Sequence, residues 1–460
     1  MRKCINSNSK NPSLQMFSVI LSLALPTMLE QLLQTAVQYI DTAMVGSLGT
    51  QATAAVGATT TVNWLIGSTI SAVGVGFLAV ISQAFGADNK QKACKVSAQA
   101  VSAVIIIGLF FTVLTVSLSS KIPVLMRVDP AIRSSAARYF LILYTPMLLR
   151  TASIIFGTLL RAVGDTKTPM KVGAGVNIIN IILNFILIYP TRTVNIFDRQ
   201  FTLIGAGFGI EGAAMASAVS YVFGGVAITI ALFKHKEISP KGQSMRPDIM
   251  VLKPCIRIAF PNMLQRFATS LGYVAFAAMI NSLGETSTAA HTIANTVESL
   301  FYIPGYGMQA ASASLAGSAW GAGDKEKLNK LPKIIIPFEV ILMIFSGGML
   351  FIFAHQLMCI FSDDMEVIAL GTTVLRMVAV SEPFYGVPIV IEGLMQGLGK
   401  TVAPFIYNVL GMWCVRIVGT FIFTQIMECG LISAWGCMIA HNMLLFILFI
   451  AHYISGKWKV

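Results

Sequence analysis

The stretch PTMLEQLLQTAVQYIDTAMVGSLG, residues 26–49, returns as PNMLQRFATSLGYVAFAAMINSLG, residues 261–284, and this repetition decides the fold. The same shift of 235 positions, from 26 to 261, aligns QAFGADNKQK (83–92) with SAWGAGDKEK (318–327). It still holds at the turns RAVGDTKTP (161–169) and QGLGKTVAP (396–404). Two like halves of a membrane chain usually form their working site where they meet. The halves differ at one place that matters, because Asp41 falls opposite Phe276.

Composition places the chain in a bilayer. Of its 460 residues, 55% are hydrophobic and only 11% charged, and the mean hydropathy is +0.76, which leaves too little polar surface for a water-soluble globule. Apolar runs of roughly 20 residues recur, long enough for a helix to cross a hydrocarbon core. They are continuous rather than alternating, which favours helices over strands. We therefore predict an all-α integral membrane protein with twelve transmembrane helices in two six-helix pseudo-symmetric lobes. The predicted spans are 15–42, 52–85, 96–120, 135–160, 169–190, 211–233, 256–281, 288–319, 334–355, 367–394, 403–427 and 431–454.

The polar stretch between the sixth and seventh spans divides the chain. We predict an N-terminal lobe at 1–233, a cytoplasmic linker at 234–255 and a C-terminal lobe at 256–460. Lysines and arginines concentrate on the side that holds this linker, which predicts cytoplasmic N- and C-termini in a multi-pass protein of the inner (plasma) membrane. The outer side keeps Lys121, Arg127, Arg133, Arg192 and Arg199. The net charge of +12 then reflects topology and anionic lipid headgroups, and needs no nucleic-acid partner.

Three local features carry structure rather than chemistry. Residues 191–209 contain two β-prone runs around Asp198 and Arg199, which predict a hairpin on the outer face. The turns 161–169 and 396–404 each offer a glycine for positive φ and a threonine for capping, and they do not fit a phosphate-binding loop. The seven cysteines are scattered without metal-ligand spacing, so we interpret them as structural.

Polar residues inside the first lobe form two stripes. Glu30, Gln34 and Asp41 fall near one line of span one, which should face a partner or water rather than lipid. Span five places Asn177, Asn180 and Asn184 on one face. Such amides can hydrogen-bond a carboxylate or offer oxygens to a cation. The alternative is that the amides only join helices.

The second lobe carries different groups. His291, Asn295 and Glu298 share one face of span eight, and Glu298 is deep enough to line a cavity. We predict a substrate cavity lined by Glu298, Asn295, Asn63 and Asn177. Glu392 lies near the cytoplasmic end of span ten. Its position is compatible with two roles, a gate or a structural contact. His291 is expected to be an ordinary hydrogen-bonded histidine, and the two remaining intramembrane acids are expected to be satisfied by nearby backbone. These acids are Glu339 and Glu382.

Five segments resemble the multidrug and toxic compound extrusion (MATE) transporters, and the resemblance covers nearly the whole chain. They are residues 26–49, residues 82–93, LRAVGDTKTPMK, NIINIILNFILIY and GMQAASASLAGSAWGAGDKEK. The resemblance implies two lobes around a V-shaped cavity and export of organic cations in exchange for Na⁺ or H⁺. Asp41 matches the first-helix aspartate used for ion coupling, and Asn180 the fifth-helix asparagine beside it. Asn184 stands where many members have an aspartate. NorM-like members carry an acid on the seventh helix, which span seven lacks, so Asp41 becomes the leading coupling group.

The sequence thus predicts a monomeric antiporter without a cofactor, whose coupling ion is H⁺ or Na⁺, with Asp41 and Asn180 as a candidate Na⁺ site. We group Asp41, Asn180, Asn184, Gln34 and Glu30 as cation-coupling residues. A lipid-linked oligosaccharide flippase is the alternative, although it would favour clustered arginines for pyrophosphate. The intramembrane arginines are instead spread over both lobes, at 138, 150, 266, 376 and 416. An enzyme is not expected, because no catalytic set is visible, and a channel would lack concentrative transport.

Overall fold

The computed structural model describes residues 12–459 except 126–129, 131 and 197–198, and these residues are mostly helical. The predicted cytoplasmic N-terminus, Arg127 and Asp198 lie outside the described residues. The first half contains α1 (Pro12–Gly46), α2 (Thr50–Gly86), α3 (Lys90–Leu118), α4 (Ile122–Leu125), α5 (Arg133–Tyr144), α6 (Met147–Ala162), α7 (Lys167–Leu187), β1 (Pro190–Ile196), β2 (Arg199–Ala206) and α8 (Gly209–Lys234). The second half contains α9 (Ile249–Asn281), α10 (Glu285–Phe301), α11 (Ile303–Gly321), α12 (Lys325–Phe361), α13 (Met365–Gly397), α14 (Val402–Leu410), α15 (Val418–Phe421) and α16 (Leu431–Ile454). Two π-helical stretches, Gly411–Ile417 and Ile422–Ile426, flank α15.

The helices account for the predicted spans. Ten stretches of the described chain are long and apolar enough to cross a membrane, and α5 with α6, bent by 50°, form an eleventh. The bend falls at Pro146, which cannot donate a backbone hydrogen bond. We assign α10 and α11 together as the twelfth crossing, since they connect the end of α9 to the start of α12. This crossing carries His291 and Glu298, which lower its apolar character.

Two faces of the helical bundle can be distinguished by their connections. The linker face holds residues 235–248 between α8 and α9, and the hairpin face holds the antiparallel pair β1–β2, which confirms the predicted hairpin. On the linker face, Gln99 of α3 donates to the carbonyls of Ser244 and Arg246 and accepts from the Asp248 amide. The Asp248 side chain caps α9 by accepting from Met250 N, so this helix begins within the predicted linker, at Ile249.

Span one is shared between the two lobes. Its first half packs Ile20 and Leu23 into a core built mainly from α11, α12, α13 and α16 of the second lobe. Its second half packs Met44 and Val45 into the core of the first lobe. Pro26 lies inside the helix between these two halves. Movement of one lobe against the other must therefore act on α1.

Span seven repeats this arrangement in reverse. Cys255 and Ile258, near the start of α9, belong to the core of the first lobe. Phe276 and Ile280, near its end, belong to a second-lobe core with α10, α12, α13 and α16. Pro261 lies between the two halves, as its repeat partner does in α1. The two lobes thus exchange the first halves of α1 and α9.

The matched turns confirm one part of their prediction and correct another. Gly164 and Gly399 have φ values of 86° and 80°, which favour glycine. The prediction that the threonines cap helices through their side chains is wrong. Thr166 and Thr401 instead donate to carbonyls of α1 and α9, at Ser22 and Ile258. In both turns the hydroxyl therefore joins the turn to a neighbouring helix.

Candidate functional site

Asp41 lies in the second half of α1, where it faces α7. The Nδ2 atom of Asn184 donates to Asp41 Oδ1 at 2.5 Å. Asp41 is half-buried, whereas Asn184 is 1% exposed. Among the described residues Asp41 forms no ion pair, so its contact is with a neutral amide. The carboxylate is thus held in place without a protein cation to balance it.

The contact continues as a chain of amides. Asn184 Nδ2 also donates to Asn180 Oδ1 at 3.1 Å, and Asn180 Nδ2 donates to Ser217 Oγ of α8 at 3.2 Å. Asn184 Oδ1 and Asn177 Nδ2 are buried without a hydrogen-bond partner. An unpaired buried amide oxygen beside a carboxylate can accept a hydrogen bond from the protonated carboxyl group or bind a small hard cation. The predicted residues Asp41, Asn180 and Asn184 therefore come together between two helices, α1 and α7.

The other two residues of the predicted coupling set lie in different surroundings. Glu30 forms an ion pair with Arg161 of α6, with Arg161 Nη1 at 3.0 Å from Oε2 and 3.2 Å from Oε1. Arg161 also donates to Thr158 at 3.3 Å. Gln34 is exposed on α1. The structure thus gives Glu30 a basic partner and leaves Asp41 without one.

An arginine that the sequence analysis did not assign to the site lies in the wall of the first lobe. Arg150 Nη1 donates to Asn63 Oδ1 at 2.6 Å, and Tyr144 donates to the same oxygen at 3.1 Å. The guanidinium carbon lies 4.8 Å from the centre of the Tyr221 ring. Asn63 was predicted to line the substrate cavity, and its Oδ1 atom already accepts these two hydrogen bonds. The only signal in the sequence was an arginine in the middle of an apolar span.

The second lobe places an arginine near the position opposite Asp41. Arg416, in the π-helical stretch Gly411–Ile417, is 4% exposed and lies 4.2 Å from the centre of the Phe276 ring. Phe276 is the repeat partner of Asp41. Within the described part of the chain, Arg416 Nε has no hydrogen-bond partner. Glu298 is buried on the neighbouring α10, whereas Asn295 on the same helix is exposed. Where the first lobe has the Asp41 carboxylate, the second lobe therefore has a phenylalanine ring with the Arg416 guanidinium against it.

Glu392 binds three amides from three parts of the second lobe. It accepts from Gln265 of α9 at 3.0 Å, from Gln396 of α13 at 2.9 Å and from Asn408 of α14 at 3.3 Å. Its side chain is buried, and its hydrogen-bond partners among the described residues are all neutral. These contacts join α9, α13 and α14, which is what a structural carboxylate would do, and the gate role stays a prediction.

The expectation that nearby backbone satisfies Glu339 and Glu382 is wrong. Both carboxylate oxygens of Glu339 and Oε2 of Glu382 are buried without a hydrogen-bond partner. Because α12 begins at Lys325, Glu339 lies well inside the helix, where the backbone amides are already used. Its Oε1 points towards Gly305 and Gly386, where an added Cβ would lie 3.1 and 2.9 Å away.

Known proteins resemble this chain in sequence, and the similarity extends over both halves. A sequence profile described as MatE matches residues 26–186 and 261–422, one match in each half. A probable multidrug resistance protein NorM from Thermotoga maritima is 27% identical over 440 residues, which cover 96% of this chain and 92% of the relative. The probable multidrug resistance protein YoeA from Bacillus subtilis is 24% identical, covering 89% of this chain and 87% of the relative.

Solved structures show the same fold. A MOP superfamily transporter from Pyrococcus furiosus, described as having reversed polarity of its binding pocket, matches with a TM-score of 0.88 at 22% identity. A multidrug resistance MATE family transporter in an outward-facing conformation matches with a TM-score of 0.87 at 22% identity. Each match covers 98% of this chain and 100% of the solved one. The twelve-helix arrangement is therefore shared along the whole chain.

Proposed function

The chain belongs to the MATE family of multidrug efflux transporters, and from this membership we propose that it is an antiporter that exports organic cations in exchange for H⁺ or Na⁺. It is a transporter and not an enzyme. Asp41 is the main coupling residue in this proposal. The observation that carries it is the carboxylate of Asp41 itself, which contacts the neutral Asn184 amide and has no basic partner among the described residues.

The coupling step follows from charge competition at one carboxylate. A cationic substrate and the coupling ion both favour ionised Asp41, so each weakens the binding of the other. When the cavity faces outward, H⁺ or Na⁺ occupies Asp41 and the drug leaves. An inward-negative potential favours net inward movement of the coupling cation by about 2.3 kcal/mol per charge per 100 mV. Export against a gradient requires that the carrier with an empty, ionised Asp41 reorients slowly.

The proposal includes an orientation and a location. We place the linker face in the cytoplasm and the protein in the plasma membrane as a monomer, with both termini cytoplasmic. Support comes from the lysines that surround the linker face at the starts of α3 and α12, namely Lys90, Lys92, Lys325 and Lys327. The hairpin β1–β2 then faces outside. Substrate would enter between the lobes, where the exposed Gln34 and Asn295 lie.

The test is transport by the purified chain in proteoliposomes with an imposed pH gradient or an imposed Na⁺ gradient. A fluorescent organic cation reports movement. We expect accumulation of the dye against its own gradient with one of the two ions and not with the other. Downhill flux alone would indicate a channel. Movement of a lipid-linked oligosaccharide without dye transport would indicate a flippase, and either result contradicts the proposal.

Replacing Asn184 by alanine is expected to lower the initial rate of ion-driven export about tenfold or more, because a hydrogen bond to a charged group is worth roughly 1.5–3 kcal/mol. The control is Asn329→Ala, the same substitution at an exposed position of α12 outside the predicted site. Its rate should stay close to that of the unchanged protein. Equal rates for both variants would show that the Asn184 contact with Asp41 does not serve transport.

A further inference from the structure

Two glycines related by the repeat rest on the backbone of the opposite half. Gly86 ends α2 and Gly321 ends α11, both on the linker face. A Cβ added at Gly86 would lie 1.9 Å from the carbonyl oxygen of Ser318. A Cβ added at Gly321 would lie 1.9 Å from the carbonyl oxygen of Gln83. Gln83 and Ser318 are themselves repeat partners, so the repeat relates one contact to the other.

Between these contacts lies the axis that relates the two halves. Ser82 and Gly317 are repeat partners, and a Cβ added at Gly317 would lie 1.9 Å from Ser82 Oγ. Equivalent residues of two symmetric units meet each other only at the symmetry axis. The two glycine–carbonyl contacts therefore lie on opposite sides of this axis, at the linker face.

Space, rather than backbone conformation, explains why these positions are glycine. Neither Gly86 nor Gly321 is among the glycines with positive φ. The turn that follows Gly321 uses a different glycine, Gly323, for its positive φ of 67°. A side chain at either helix end would collide with a carbonyl group that belongs to rigid helix backbone. Close approach of the two halves thus depends on the missing Cβ.

Hydrogen bonds across the same boundary follow the repeat as well. Gln83 Nε2 donates to the carbonyl of Gly397, at the end of α13, at 3.0 Å. Ser314 Oγ donates to the carbonyl of Ala162, at the end of α6, at 3.1 Å. Ala162 and Gly397 are repeat partners. Each half thus holds the end of a helix from the other half through neutral groups, which can separate without exposing a buried charge.

We propose that these residues form the gate that closes the linker face, and that Gly86 and Gly321 are its positioning residues. This glycine gate comprises Ser82, Gln83, Gly86, Gly317, Ser318 and Gly321. The two glycine–carbonyl contacts open together, because tilting one lobe away from the other about a line perpendicular to the axis separates both. The inference goes beyond the proposed antiport, because it assigns the contact that must break for the cavity to open towards the linker face.

The experiment measures gate opening directly by distance. Lys90 and Lys325 are exposed repeat partners that begin α3 and α12, just beyond the gate. Spin labels at Lys90→Cys and Lys325→Cys, on a background without accessible native cysteines, report their separation by pulsed electron resonance. Gly86→Ala and Gly321→Ala are each expected to raise the population with the longer distance about tenfold, since overpacking forces backbone to shift. The matched control is Gly57→Ala on α2, where no atom lies within 4 Å of the added Cβ.

A second pair of variants removes contacts without adding bulk. Ser314→Ala and Gln83→Leu delete the two hydrogen bonds, and we expect a smaller shift in the same direction, with thermal unfolding in detergent confirming that the variants fold. Distances in the two glycine variants that match those of Gly57→Ala would overturn the gate. The distance measurement needs no substrate and no ion gradient, so its outcome is independent of whether Asp41 couples transport.

Discussion

Asp41→Asn is expected to lower the initial rate of ion-driven export of an organic cation roughly a hundredfold, because the bound cation loses its carboxylate partner and truncating one partner of a buried charge pair costs about 2–5 kcal/mol. Asparagine keeps the size of the side chain and can still face Asn184, so the fold should be retained. It cannot take up a proton and cannot balance a cationic substrate. The measurement is dye accumulation in proteoliposomes under the gradient that drives the unchanged protein.

Two comparisons separate coupling from general damage. Asp363→Asn makes the same chemical change at an exposed position between α12 and α13 and should transport normally. Exchange of labelled for unlabelled substrate, without an ion gradient, tests whether the Asp41 variant still binds and reorients. Undiminished gradient-driven accumulation by Asp41→Asn would remove Asp41 from the mechanism.

Arg161→Met is expected to lower the stability of the protein in detergent by about 2–4 kcal/mol, because it leaves the carboxylate of Glu30 without its partner. The pair is largely buried, with side-chain exposures of 19% for Arg161 and 12% for Glu30. The same arginine also contributes a backbone carbonyl that accepts from Ser314 of the other half at 3.0 Å. That contact is kept in Arg161→Met, so the loss of stability reports the ion pair. Thermal and denaturant unfolding measure the change.

A double variant makes this prediction specific. Glu30→Gln combined with Arg161→Met removes both charges, and should recover much of the stability that Arg161→Met alone loses. The exposed pair Glu326 and Lys330 on α12 is the control, with side-chain exposures of 77% and 49%. Lys330→Met should change stability by less than about 1 kcal/mol, as exposed pairs do. Similar losses of stability for Arg161→Met and Lys330→Met would contradict this prediction. The Glu30–Arg161 ion pair would then stabilise the protein no more than an exposed pair does.

Much of the fold could be predicted because membrane-spanning helices and the duplication produce long, regular patterns in the sequence. The shift of 235 positions identifies the repeat that underlies both lobes. The face shared by Asn177, Asn180 and Asn184 was also predictable, since asparagines at helical spacing must lie on one side of α7. Such inferences need only the geometry of a single regular helix.

What the sequence could not predict depends on packing between helices. The partner of Glu30 lies on α6, 131 positions away along the chain, and nothing in the spacing of residues brings the two together. Arg416 lies in a π-helical stretch, where the wider turn moves each side chain away from the face that it would occupy in an α-helix. Assigning residues to helix faces from α-helical spacing therefore fails there. Glu339 was misjudged because the start of α12 lies further from it than the apolar pattern indicated.

The exchange of the first halves of α1 and α9 has a consequence for biogenesis. When the ribosome has released the first six spans, the core of the first lobe still lacks Cys255 and Ile258, which arrive only with α9. Ile20 and Leu23, in the first half of α1, are not surrounded until the helices of the second lobe have been synthesised. Neither half can complete its interior alone. Synthesis as one continuous chain, with the duplicated units fused, guarantees that each half finds its counterpart in the bilayer.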